Sequence, residues 1–157
     1  MLYFEDLKLG DQYTTPERTV TAEEIVAFAK QYDPQTFHTD AEAAKTSLFG
    51  QLVASGWHTA AISMGLMVRG SMGLDGGVIG NGVDELRWSR PVLPGDTLRV
   101  VMEIAELNPE PSRTGRGKIK LLCRTLNQHG RVVQEMTARL LVSRRPSSAE
   151  PTEGRPL

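Results

Sequence analysis

The chain is 157 residues long, with 39% hydrophobic and 24% charged residues, enough for one globular domain with its own core. Its 18 basic and 19 acidic residues leave a net charge of −1, so no basic excess points to nucleic acid or an anionic membrane surface. A lone cysteine, Cys123, excludes an internal disulfide and argues against a zinc site, and no run of roughly 18 apolar residues offers a membrane span.

The start, Met1-Leu2-Tyr3-Phe4-Glu5-Asp6, lacks the basic and apolar regions of a signal peptide, and a reducing cytoplasm is the expected location. An early strand is expected over Gln12 to Val20. Thr21 and Glu24 have the spacing of a capping box, and Ile25, Phe28 and Ala29 form one apolar stripe, so a helix should follow. It should end near Tyr32, because Pro34 disfavours the α region for Asp33. Asp40 suits the cap of a short helix through Ala44. From about Ser55 to Arg69 the chain is apolar nearly all round, as a buried central helix would be.

A glycine-rich link from Gly70 to Gly82 precedes a change to a period of two. Strands are expected over Val83 to Arg90, around Leu98 to Ile104, around Ile119 to Cys123, and over Val132 to Val142. Pro94-Gly95-Asp96 marks a turn, and Asn127 to Gly130 a hairpin loop. The order implies an α+β fold in which an antiparallel meander wraps a long central helix, with residues 1–143 as the domain and 144–157 as a flexible polar tail. Pairing of sheet edges between two copies is a natural route to a homodimer, with a higher homo-oligomer as the other expected assembly.

The densest chemistry lies in Asp33-Pro34-Gln35-Thr36-Phe37-His38 and Ala54-Ser55-Gly56-Trp57-His58. A carboxylate and an imidazole five residues apart diverge by about 140° on a straight helix and point to opposite faces of a flat strand. Only a bent segment brings them together, and Pro34 favours a bend. Such a pair can grip one water between them and serve as general base and acid. Gly56, placed at a helix start, offers an N–H without an intrahelical acceptor and without a side chain in the way, which suits an oxyanion. Each residue also has a plainer use: Asp33 as a turn residue, His38 as a satisfied structural histidine, Gly56 as a close-packing glycine. His58 is expected to pack, His129 to be exposed in its hairpin, and Met64, Met67 and Met72 to lie in the core or a pocket wall. Arg87, Arg90 and Arg99 could meet phosphate groups of a ligand, but solvation on the surface is the expected use.

Asp33-Pro34-Gln35-Thr36-Phe37-His38-Thr39-Asp40-Ala41-Glu42-Ala43-Ala44, then Val53-Ala54-Ser55-Gly56, then Leu86 to Leu98 with its Pro-Gly-Asp turn, together resemble the MaoC-like acyl dehydratases, the (R)-specific enoyl-CoA hydratases of the hot-dog fold. Gln35, Thr36 and Ser55 stand where the family has Asn, Pro and His. The resemblance implies an acyl-CoA hydratase/dehydratase acting on a trans-2-enoyl thioester. Asp33 and His38 would be catalytic, Gly56 would form the oxyanion hole, and Ser55, Trp57, Ser63 and Met64 would be substrate-binding residues. It implies no metal and no bound cofactor, with coenzyme A or an acyl carrier present only as the substrate's handle. Two other readings share the fold: an acyl-CoA thioesterase, and a non-catalytic acyl- or carrier-binding subunit.

Overall fold

The computed structural model describes residues 1–70, 72–110 and 114–146. After a 3₁₀ turn at Phe4–Asp6 come strands β1 (Gln12–Thr14) and β2 (Arg18–Thr19), then helices α1 (Ala22–Tyr32), α2 (Thr36–Thr39), α3 (Ala41–Ala44) and α4 (Gly56–Arg69). Four long strands complete the domain: β3 (Ile79–Trp88), β4 (Thr97–Asn108), β5 (Gly117–Leu126) and β6 (Val132–Val142).

The strand expected over Gln12 to Val20 is divided by Pro16, which has no N–H for a ladder. Thr15 bridges the gap: its N–H donates to the Val100 carbonyl, and its hydroxyl accepts from the Val100 amide at 2.9 Å. Helix α1 begins as its cap predicts, with Thr21 Oγ1 accepting from the Glu24 amide. Glu24 does not close the capping box; its carboxylate pairs with Arg18 at 3.1 Å. Asp40 caps α3 by accepting from the amides of Glu42 and Ala43.

The antiparallel sheet runs β1-β4-β5-β6-β3, with β2 also on β4. Strands β4, β5 and β6 form the expected meander, but β3 is not next to β4. It pairs with β6 at the far edge, with Trp88 opposite Gln134 and Val83 opposite Ala138. The connection over residues 89–96 carries two prolines and cannot make a tight hairpin. It passes across the sheet end instead, a gap of three strand spacings, about 14 Å, that eight residues span easily. Strand β3 also begins at Ile79, inside the stretch expected to be a link.

Alternate residues of β4 and β5 point to one face, where Leu98, Val100, Met102, Ile104, Ile119, Leu121 and Cys123 are buried. Helix α4 lays Ile62, Leu66 and Met67 on this layer. Each such side chain contributes about 1.5–3 kcal/mol on burial. The helix is not buried all round, because Trp57, Met64 and Val68 are exposed. Just past β6, Arg144 and Arg145 pair with Glu5 and Asp6, and Arg145 lies over the Tyr3 ring. The rest of the expected tail, residues 147–157, lies outside the described residues.

Candidate active site

Helix α1 stops where Pro34 requires. Asp33 leaves the helical region (φ −151°, ψ 71°), while its amide still donates to the Ala29 carbonyl. The chain turns, Gln35 opens α2, and His38 sits on this four-residue helix. The turn therefore achieves the convergence that a straight element would not: His38 Nε2 lies 3.4 Å from Asp33 Oδ2. That separation exceeds the 2.7–2.9 Å or so of a charge-assisted hydrogen bond and suits a water held by both groups.

Each partner is fixed from behind. Asp33 Oδ2 accepts from the Ser55 hydroxyl at 2.7 Å, and Oδ1 from the Gln35 amide at 2.8 Å. Burial on its own raises the carboxyl pKa. The Ser55 and Gln35 hydrogen bonds, joined by the attraction of the neighbouring His38 ring when it is protonated, outweigh it, so Asp33 titrates below the usual carboxylate value. His38, 6% exposed, places Nδ1 2.6 Å from the Val53 carbonyl. A carbonyl only accepts, so Nδ1 carries the proton and, in the neutral ring, Nε2 presents its lone pair toward Asp33.

Ser55 links this pair to α4. It is the N-cap, accepting from the Trp57 amide at 3.3 Å while donating to Asp33. Gly56 is the first residue of α4, and nothing among the described residues accepts from its amide. Its φ is not in the left-handed region, so the glycine answers to space. A Cβ there would lie 2.5 Å from Cδ2 and Cε2 of Trp88.

Asp33, His38, Gly56 and Trp57 all line one cavity of about 490 Å³, walled also by Phe37, Phe49, Trp88 and Arg90. Of the other expected binding residues, Ser55 is fully buried behind Asp33, off the cavity wall. Ser63 faces the sheet: its hydroxyl donates to the Thr59 carbonyl and lies 2.7 Å from Thr125 Oγ1. Met64 lines a separate apolar cavity. Sequence reasoning assigns no role to Gln35, although its position two residues past Asp33, across a proline, is the available signal. It also misses Trp88, which touches Gly56 from 32 residues away and leaves no local signature.

His58 is buried, as expected of a packing residue. Its ring stacks on Phe28 with centroids 4.7 Å apart, and burial lowers its pKa. Burial pushes the Cys123 thiol up to about 12, which leaves it inert. His129 is exposed. Arg87 and Arg99 pair with Glu85 and Glu17. Among the described residues no three His, Cys, Asp or Glu side chains gather to ligate a metal, and no helix is long and apolar enough to cross a membrane.

Residues 6–121 match the family model described as a MaoC like domain. The chain belongs to the MaoC-like dehydratase family. This MaoC-like domain is similar to the crystal structure of a MaoC-like dehydratase from Rhodospirillum rubrum, at 47% identity and a TM-score of 0.87, covering 93% of this chain and 99% of that one. It is also similar to the R-hydratase PhaJ1 of Pseudomonas aeruginosa (25% identity, TM-score 0.73, 99% of this chain and 94% of that one). A 3-hydroxybutyryl-CoA dehydratase of Methylorubrum extorquens is 30% identical over 114 residues, which is 72% of this chain and 70% of that protein. The fold is the hot-dog fold of these neighbours.

In the MaoC-like site Ser55 does two jobs, and pH separates them. Ser55→Ala removes the first of the interactions that hold the Asp33 pKa down and leaves burial less opposed. A carboxyl with a depressed folded-state pKa stabilises the fold above its unfolded pKa and loses that contribution as pH falls through the folded value. The variant is expected to titrate Asp33 at higher pH and to unfold at a less acidic pH. Carboxyl-carbon NMR and acid unfolding check this; an unchanged Asp33 titration contradicts it.

Proposed function

We propose that this chain adds water to, and removes it from, a trans-2-enoyl thioester carried by coenzyme A or an acyl carrier, without metal or bound cofactor. The observation that carries the reading is the Asp33–His38 pair opening on the same cavity as the unpaired Gly56 amide. The names of two relatives, an R-hydratase and a 3-hydroxybutyryl-CoA dehydratase, support it.

A water between Asp33 Oδ2 and His38 Nε2 meets two acceptors, so it points both hydrogens at the protein and a lone pair outward. That oxygen attacks the β-carbon of the enoyl group while its proton passes to the pair. The C–C π electrons move toward the carbonyl, and the enolate oxygen forms against the Gly56 N–H at the positive end of α4. The pair then delivers a proton to the α-carbon, and both residues return to their starting state. The reverse sequence eliminates water, so concentrations set the direction.

The test is purified protein on a crotonyl-CoA panel, following loss of the enoyl absorbance. Release of free thiol without hydration moves the reading to hydrolysis. Saturable acyl-CoA binding without turnover leaves a binding subunit.

The reading includes a homodimer. Strand β3 is a ten-residue edge strand whose outer side has no partner among the described residues. Val83 and Trp88 of β3 are exposed, as are Trp57, Met64 and Val68 of α4. Such an edge with apolar flanks is suited to a second copy. Sedimentation velocity is expected to show twice the mass of the chain; a stable monomer at micromolar concentration contradicts it.

A further inference from the structure

We propose that Trp88, pinned by Gln134, is the end wall that restricts this site to short acyl chains, and that it separates the catalytic cavity from a second, apolar cavity. The inference rests on the hydratase reading for its substrate, a hydrocarbon tail on a thioester.

The second cavity has a volume of about 280 Å³; Met67, Val78, Met136 and Leu140 are among its walls, and the exposed Met64 and Val83 line it on the side offered to a second copy. Methionine walls are apolar and adaptable, as an acyl tail requires. The two cavities lie in line along one seam. On β6, Gln134, Met136, Ala138 and Leu140 are alternate residues on one face, and β3 sets Trp88 opposite Gln134 and Gly80 opposite Leu140. On α4, Thr59, Ser63 and Met67 follow at steps of four, about 6 Å each. The catalytic cavity touches Thr59 and Trp88, whereas the second touches Met67 and Met136. Trp88, Gln134 and Ser63 therefore form the row between them.

That row is closed by hydrogen bonds. Trp88 Nε1–H donates to Gln134 Oε1 at 2.9 Å, and Gln134 Nε2 donates to Ser63 Oγ at 3.1 Å. Ser63 in turn holds the Thr59 carbonyl and meets Thr125. Gln134 is 1% exposed, so releasing the indole leaves a buried amide oxygen unpaired. The indole also sits on Gly56 itself, beside the amide assigned to the thioester oxygen. A short acyl group ends against this ring; a long one is blocked from the apolar space behind it.

The experiment compares kcat/KM for crotonyl-CoA and trans-2-octenoyl-CoA in the wild type, Trp88→Ala, Trp88→Phe and Gln134→Leu. The wild type is expected to favour crotonyl-CoA. Trp88→Ala is expected to raise the octenoyl-to-crotonyl ratio at least about ten-fold, chiefly by lowering KM for the long chain, because room for even one methylene is worth about that much. Trp88→Phe and Gln134→Leu are expected to raise it less, and they decide the matter if Trp88→Ala does not fold. A merely structural tryptophan would lower both activities and leave the ratio alone. A ratio unchanged in every folded variant, or a wild type that already takes both substrates equally, overturns the proposal. Should the wild type turn over no thioester, the hydratase reading fails by itself. Calorimetric affinities for butyryl-CoA and octanoyl-CoA then supply the same ratio and test the Trp88 wall by the same criterion.

Discussion

Asp33→Asn is expected to lower kcat for crotonyl-CoA hydration by about 10²–10⁴ with little change in fold. Asparagine matches the carboxylate in shape, and its oxygen can still accept from Ser55, as Asp33 Oδ2 does now. Its amide nitrogen would then face Gln35, whose own amide can turn to offer oxygen in place of the nitrogen that now donates to Oδ1. What the variant lacks is a group that can take a proton from water. His38 stays in place, because its Nδ1–H remains committed to the Val53 carbonyl and Phe37 still packs edge-on against its ring. Loss confined to kcat would mark a role in the chemical step rather than in binding. Enoyl absorbance gives the rate and circular dichroism the fold. A variant with wild-type kcat removes Asp33 from the mechanism.

The parts of this site that are legible in the sequence are those encoded by neighbours along the chain. Pro34 dictates that Asp33 leaves the helix, and the bend brings His38 back to it. Thr21 and Asp40 are side-chain caps that announce helix starts locally, and the alternation in Leu98 to Ile104 reports a face of a sheet. Alternation says nothing about which strand lies alongside, so chain order puts β3 beside β4 when its partner is β6. The same limit hides the wall of the site. Trp88, Gln134 and Ser63 meet only because three distant elements cross, and each taken alone reads as an ordinary strand or helix residue. Helix α4 misleads for a related reason. A helix that is apolar on every face has to cover something on every face, but sequence does not distinguish the sheet it packs on from the exposed Trp57, Met64 and Val68 side.

Gly56→Ala is expected to cost about 10²–10³ in kcat and about 1–3 kcal/mol of stability. Backbone conformation is not the obstacle, since alanine accepts this φ and is a better helix former than glycine. The obstacle is the indole, whose Cδ2 and Cε2 lie 2.5 Å from where the new methyl group would stand. Trp88 cannot slide away without losing Gln134, so the start of α4 must move instead. Ser55 moves with it, and Ser55 holds both the Trp57 amide and the Asp33 carboxylate. One methyl group thus displaces the Gly56 amide and the Asp33 carboxylate together. The double variant Gly56→Ala/Trp88→Ala separates crowding from chemistry. If the clash is the cause, removing the indole makes the alanine nearly harmless to stability, and part of the lost kcat returns as the helix start settles back. If the two stability losses simply add, the contact between Gly56 and Trp88 is not what demands glycine there. Urea unfolding and crotonyl-CoA turnover on the four proteins decide it, and wild-type kcat in the single Gly56→Ala variant removes this amide from the reaction.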